Sequence, residues 1–396
     1  MKHMQKIDEL ICATLRGENH PWPAVGDDAF AASFIARSNY HGVQALLDRR
    51  LQSASGAALG WPKAVVDSCR RAAILQVMWE MRHRELLNQV LARLSDGAAG
   101  PILFKGTALA YDLYSSPFLR ARGDTDFIIP FGDRDQVCRT LESLGFACTY
   151  GVKGEFVNSA AVYERIDPAT GSHPLDVHWR ISNAHLLSKL FTYEELRSDA
   201  RPLPALGRDA LAVGPVHALL LACMHPACHR QCPYFVDGVE YYGGDRLIWL
   251  FDIHLLLGEL QPSQYEAFLE LAERKGLGGV CLEGIEDARA RFNSLVPEKV
   301  WERLSRLKGT GVASRYLSGS VTYQYYLNFL GADGVGNKVR YLGQLLFPPQ
   351  NHMRVAYSEV RPNWLPWLYL RRAIIEVFKR FQRTLAPKQP VGEREK

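Results

Sequence analysis

The stretch Asp124-Thr125-Asp126-Phe127-Ile128-Ile129-Pro130 constrains this chain more than any other. A short apolar run closed by proline reads as a strand, and side chains two apart on a strand share a face. Asp124 and Asp126 therefore stand together, with Thr125, Phe127 and Ile129 on the opposite face. Two carboxylates about 4 Å apart repel by roughly 4 kcal/mol at an effective dielectric near 20. A fold that keeps this strand must bring them a proton, a basic group or a cation. A divalent metal is the direct solution, and hard oxygen ligands suit Mg²⁺ or Mn²⁺.

Residues 173–181, His-Pro-Leu-Asp-Val-His-Trp-Arg-Ile, alternate in the same way. Asp176, His178 and Arg180 share one face, and Leu175, Val177 and Trp179 the other. If this strand neighbours the first, Asp176 becomes a third carboxylate able to bind metal, as two-metal phosphoryl chemistry requires. His178 and Arg180 would then reach a phosphate or an incoming hydroxyl. Upstream, Lys105-Gly106-Thr107 follows the strand-like Ile102-Leu103-Phe104 and opens a helical segment. A glycine turn at a helix N-terminus offers backbone N–H groups and partial positive charge, which suits a triphosphate, and Lys105 adds a full charge. The pattern GxxxxGK[ST] does not occur at this turn, so P-loop chemistry is not indicated.

Around these motifs the texture runs helical, mixed, helical. Residues 1–97 show three- and four-residue apolar spacing, notably 30–52 and 62–94, and Ser-Asp-Gly-Ala-Ala-Gly-Pro ends the block. Residues 98–204 alternate short strands with helices, 205–386 return to helices, and 387–396 form a polar tail. This predicts an α+β fold with a small mixed sheet between helical flanks. With 396 residues, 47% hydrophobic and 22% charged, several packed cores are affordable. The net charge of +5 is too mild to argue for nucleic acid and favours a small molecule, peptide or protein as partner. The first residues lack the apolar core of a secretory signal, and no run approaches the roughly 18 apolar residues of a membrane span, so a cytoplasmic location is expected.

Taken together, (L/F)KGxALAxxxY, then RxxRGDxD on an apolar strand, then xDxHWR, resemble the uncharacterised nucleotidyltransferases of the DNA polymerase beta-like superfamily. The resemblance covers about residues 101–182, and the flanking helices are similar too. It implies an NTP-dependent enzyme that moves an NMP to an acceptor and releases pyrophosphate. Asp124, Asp126 and Asp176 would be its catalytic metal ligands, for Mg²⁺ or Mn²⁺. Lys105, Gly106, Thr107, Arg122, Gly123, His178 and Arg180 would bind the nucleotide. The family's phosphate turn is commonly Gly-Ser, where this chain has Lys-Gly-Thr. Two other readings keep the fold: a non-catalytic nucleotide-binding accessory protein, and a toxin-like enzyme acting on tRNA or protein.

Three further features stand apart. His225, Cys228, His229 and Cys232 match no standard zinc spacing and read as a helix near the site, with His229 or Arg230 facing the nucleotide. Asp252, in an apolar helix, needs a buried partner such as Arg246 or one of these histidines. Residues 363–383 mix Trp, Leu and Tyr with Arg and Lys, a composition that suits contact with a membrane surface or a closing helix packed on the protein.

Overall fold

The computed structural model describes residues 2–23, 27–52, 60–97, 100–151 and 159–347, together with 350, 353, 364–372 and 374–375. Of the 363–383 stretch, residues 363, 373 and 376–383 lie outside the described residues, as does the 387–396 tail.

Among the described residues four helices come first: α1 (Lys2–Leu15), α2 (Asp28–His41), α3 (Gln44–Leu51) and α4 (Lys63–Asp96). The helical run over 30–52 is broken at Gly42, which takes a left-handed conformation (φ 70°) and returns its N–H to the end of α2. Asp27 caps α2 by accepting from the Phe30 N–H at 2.8 Å.

The mixed region then supplies β1 (Ile102–Phe104), α5 (Lys105–Asp112), β2 (Thr125–Ile128), α6 (Arg134–Ser143), β3 (Ala147–Gly151), β4 (Ala160–Asp167) and β5 (Gly171–His178). Short helices α7 (His185–Ser188) and α8 (Tyr193–Ser198) precede two-residue strands β6 (Arg201–Pro202) and β7 (Leu211–Ala212). These seven strands form one mixed sheet in the order β3-β4-β5-β2-β1-β7-β6. The fold is α+β, as the element pattern predicts, although β3 and the short β6–β7 pair carry too little apolar alternation to be seen beforehand.

Helices return with α9 (Pro215–His229), interrupted by a small hairpin of β8 (Tyr234–Val236) and β9 (Val239–Tyr241). They continue as α10 (Leu247–Glu259), α11 (Pro262–Arg274), α12 (Gly278–Phe292), α13 (Glu298–Arg306), α14 (Val312–Ser318), α15 (Val321–Leu330) and α16 (Gly334–Leu346). Pro226 lies inside α9 without ending it.

Strand alternation divides the apolar residues between two cores. Ile102, Phe104 and Ile128 join α1–α3 and α9–α14 in one cluster. Leu103, Phe127, Leu175 and Val177 face the other way, against Leu87, Val90 and Leu91 of α4 and Val137 and Leu141 of α6. The sheet thus packs apolar residues on both sides, and the carboxylates interrupt the first face.

Candidate active site

β2 and β5 are parallel neighbours, in register Asp126 opposite Asp176 and Ile128 opposite His178. Asp176 is therefore placed by backbone pairing on the same face as Asp126. β1 pairs antiparallel on the other side and sets Phe104 opposite Asp126, which delivers Lys105 to the carboxylates. Lys105 sits in the left-handed region at φ 56°, a conformation that costs a non-glycine residue about 1–3 kcal/mol. It aims Nζ to 2.5 Å from Asp126 Oδ1.

Asp126 is almost fully buried and also lies 2.9 Å from His178 Nε2. Among the described residues, Asp126, Asp176 and His178 form the one group of three or more His, Cys, Asp or Glu side chains able to hold an ion, their ligand atoms lying within 4.8 Å of one another. Asp124 stands just before β2 with its residue exposed. The residues 225, 228, 229 and 232 do not gather into such a group.

The electrostatics show how crowded this face is. Burial, then the charges of Asp126 and Asp124, push the Asp176 carboxyl up to about 8. The surrounding protein and Asp126 raise Asp124 to about 6. Asp126 goes the other way: burial opposes its charge, but Lys105 and His178 hold it below the usual carboxylate range. Burial keeps His178 neutral despite its bond to Asp126. A single ammonium, with neutral imidazole beside it, faces three acids. That donor set, rich in carboxylate oxygen with one imidazole, fits a divalent cation.

Behind β2 the strand is fastened from the opposite face. Thr125 Oγ1 lies 2.6 Å from His83 Nε2 and 2.7 Å from Thr107 Oγ1. Thr107 accepts from Arg122 Nε at 2.9 Å, and its hydroxyl reaches the Asp124 carbonyl at 3.4 Å. Arg122 forms a buried pair with Glu80 of α4, its two terminal nitrogens each 2.7 Å from one carboxylate oxygen, and Tyr111 donates to Glu80 at 2.6 Å. Thr107 and Arg122 thus brace the backbone that carries Asp124, with side chains turned away from solvent.

Arg120 pairs with Asp252 of α10 at 2.6 Å, and Tyr114 donates to the same carboxylate at 2.7 Å. Asp252 has found its buried partner in Arg120, not in Arg246 or the α9 histidines. At Gly106 a Cβ would meet Arg120 Nη1 at 2.9 Å, so a larger residue there would have to shift the guanidinium that pairs with Asp252. Gly123 has open space around its Cα. Arg180 is half-buried and reaches Ser188 Oγ at 3.4 Å.

The roof of the site is the C-terminal part of α9. His225 and His229 both feel the charges of Lys105 and Asp126, and burial holds both neutral. The His229 ring stacks on Trp249 with centroids 5.0 Å apart. Arg230 is directed elsewhere, to Glu283 at 2.7 Å.

Glu80 and His83 were not among the residues singled out in the sequence. Charged and polar residues on a long helix ordinarily mark its solvent face, and only contact with Arg122 and Thr125 reveals their part.

The family described as uncharacterised nucleotidyltransferases matches residues 28–293. The match spans well over half of the chain, from α2 to the end of α12, and encloses every residue of the site. No curated protein matches the chain. The chain belongs to the uncharacterised nucleotidyltransferase family.

Proposed function

From membership of that family, we propose that this protein transfers the NMP moiety of an NTP to an acceptor hydroxyl with loss of pyrophosphate. The observation that supports this most is the register Asp126 opposite Asp176 on adjacent parallel strands, with Lys105 reaching the same point from β1. Asp124, Asp126 and Asp176 are the residues that would hold Mg²⁺ or Mn²⁺, with His178 beside them. Such a cation, when bound, neutralises phosphate charge and lowers the pKa of an attacking hydroxyl.

The remaining roles fall to the chain itself. His178, neutral and bonded to Asp126, fixes that carboxylate's orientation. Lys105 offsets carboxylate charge before substrate arrives, and is placed to turn its ammonium to a phosphate oxygen. Gly123 leaves room for a ligand beside Asp124, and Arg180, two residues past the end of β5, would have to leave Ser188 to reach a phosphate. Thr107 and Arg122 act on the nucleotide through the backbone they hold. In the reaction the acceptor hydroxyl loses its proton to solvent and its oxygen bonds the α-phosphorus as the bond to the pyrophosphate oxygen breaks, in line. The α9 end, with His225 and His229, bounds the space left for the acceptor.

Incubation with each α-labelled NTP, Mg²⁺ or Mn²⁺ and cell extract tests this. Label should appear in protein or small molecules and vanish in Asp124→Asn and Asp126→Asn. Unchanged labelling in those variants would refute the assignment. NTP binding without turnover over all extract fractions would instead support the accessory-protein reading.

A further inference from the structure

The chain's positive charge is not spread evenly. From Gly334, where α16 begins, to Lys396 there are 12 Lys and Arg against 4 Asp and Glu, a balance of +8 in a chain whose total is +5. Residues 1–333 are therefore mildly acidic, at −3. The basic segment lies wholly beyond residue 293, where the family match ends.

The same segment leaves apolar side chains in solvent with helical spacing. On α16, Val335, Val339, Leu342 and Leu346 recur at intervals of four, three and four and are 79%, 63%, 41% and 59% exposed. These intervals put them on one stripe, while Tyr341 turns inward and is buried. Within α16 the charged residues are Lys338 and Arg340, with no acid. The helical residues 365–372 repeat the design: Leu368 is fully buried, while Trp367 and Leu370, with Trp364 just ahead, are exposed, and Arg371 and Arg372 follow. Phe347 at the end of α16 lies against Tyr369, ring centroids 5.9 Å apart, so the two elements are in contact.

We propose that α16 and the helical residues 365–372, whose charged side chains are Lys338, Arg340, Arg371 and Arg372, dock the protein on an anionic lipid surface. An exposed aliphatic stripe, tryptophans at its margin and an excess of Lys and Arg are together what an interfacial helix needs, since apolar burial and attraction to acidic headgroups reinforce each other. A purely apolar partner accounts for the stripe but not for the +8. No described helix is long and apolar enough to cross a membrane.

The test is co-sedimentation of the full chain with vesicles of phosphatidylcholine alone, or with about 30% phosphatidylglycerol, at low and high salt. Binding to the acidic vesicles should be at least about tenfold tighter and should weaken with salt. Val339→Glu with Leu342→Glu, and separately Arg371→Glu with Arg372→Glu, should each lower it by about tenfold or more. The circular dichroism melt of Val339→Glu with Leu342→Glu should match wild type, because these two aliphatic side chains are already exposed. Equal affinity for neutral and acidic vesicles, or none for either, overturns the proposal. So does a concentration-dependent dimer that Val339→Glu with Leu342→Glu dissolves while vesicle binding is unaffected, which would assign the stripe to a second copy of the chain.

Discussion

Glu80→Ala is the substitution that most directly separates scaffold from chemistry in this site. Glu80 is 4% exposed and holds three partners: both terminal nitrogens of Arg122, at 2.7 Å, and the Tyr111 hydroxyl at 2.6 Å. Removing the carboxylate leaves a guanidinium whose side chain is 1% exposed without its counter-charge, with only the neutral Thr107 hydroxyl and Pro117 carbonyl accepting from it among the described residues. Breaking a buried ion pair from one side costs about 3–5 kcal/mol, and the orphaned hydroxyl adds about 1–3. The expected loss is roughly 4 kcal/mol or more, out of a total of about 5–15.

Urea unfolding followed by circular dichroism measures it. Arg122→Ala should cost a similar amount, and the double variant should cost clearly less than the two together, with a coupling above about 1 kcal/mol. An apolar replacement, Glu80→Leu with Arg122→Met, should recover much of the loss, because neither charge is then left buried alone. The reasoning fails if either single variant loses under about 0.5 kcal/mol, the range of ordinary surface changes. It fails most informatively if Arg122→Ala keeps full stability yet loses NTP affinity. Arg122 would then be a ligand contact and not a brace for Asp124.

Three other outcomes follow from the same geometry. Asp176→Asn should weaken Mn²⁺ binding, read by electron paramagnetic resonance, by at least about tenfold without lowering the unfolding midpoint, since it removes one of three crowded acids. Gly42→Ala should cost about 1 kcal/mol or more in thermal unfolding, because φ is 70° and the added Cβ meets Arg246 Nη2 at 2.8 Å. Asp176 and Asp124, raised to about 8 and about 6, gain stability as pH falls, so with both replaced by Asn stability should fall as pH drops below about 6.5, before ordinary carboxylates titrate, in urea midpoints taken between pH 7.5 and 5. Burial lowers the folded pKa of His41, His83 and His225, so the unfolded chain binds protons first and their contribution is lost as pH falls. Asp8 adds a later loss below about pH 4: burial pushes its carboxyl up, but bonds from His41 and Arg37 hold it below the usual range.

Much of the site was legible because strand alternation is a local property. The rule of two put Asp176 with His178 on β5 and Asp126 on β2, whereas Asp124, expected on the same strand face, lies just before β2 and outside the group formed by Asp126, Asp176 and His178. The Lys-Gly-Thr turn was recognisable by its place between an apolar strand and a helix. What each of its side chains does was not. Lys105 bonds Asp126, Gly106 makes room for Arg120, and Thr107 faces inward to Thr125 and Arg122. Helix pairs were visible from their spacing, but the break at Gly42 needed one backbone angle that the amphipathic pattern does not encode.

Local periodicity, then, decides the elements, their buried faces and which polar residues interrupt those faces, because each depends on neighbours within a few positions. Pairing of β2 with β5, some fifty residues apart in sequence, depends on the whole sheet closing with β1 between β2 and β7. So does the partnership of Arg122 with Glu80 on α4 and of Arg120 with Asp252 on α10. A charge in a sequence looks for any opposite charge. Only the packed chain, where leaving one buried and alone costs several kcal/mol, determines which one it meets.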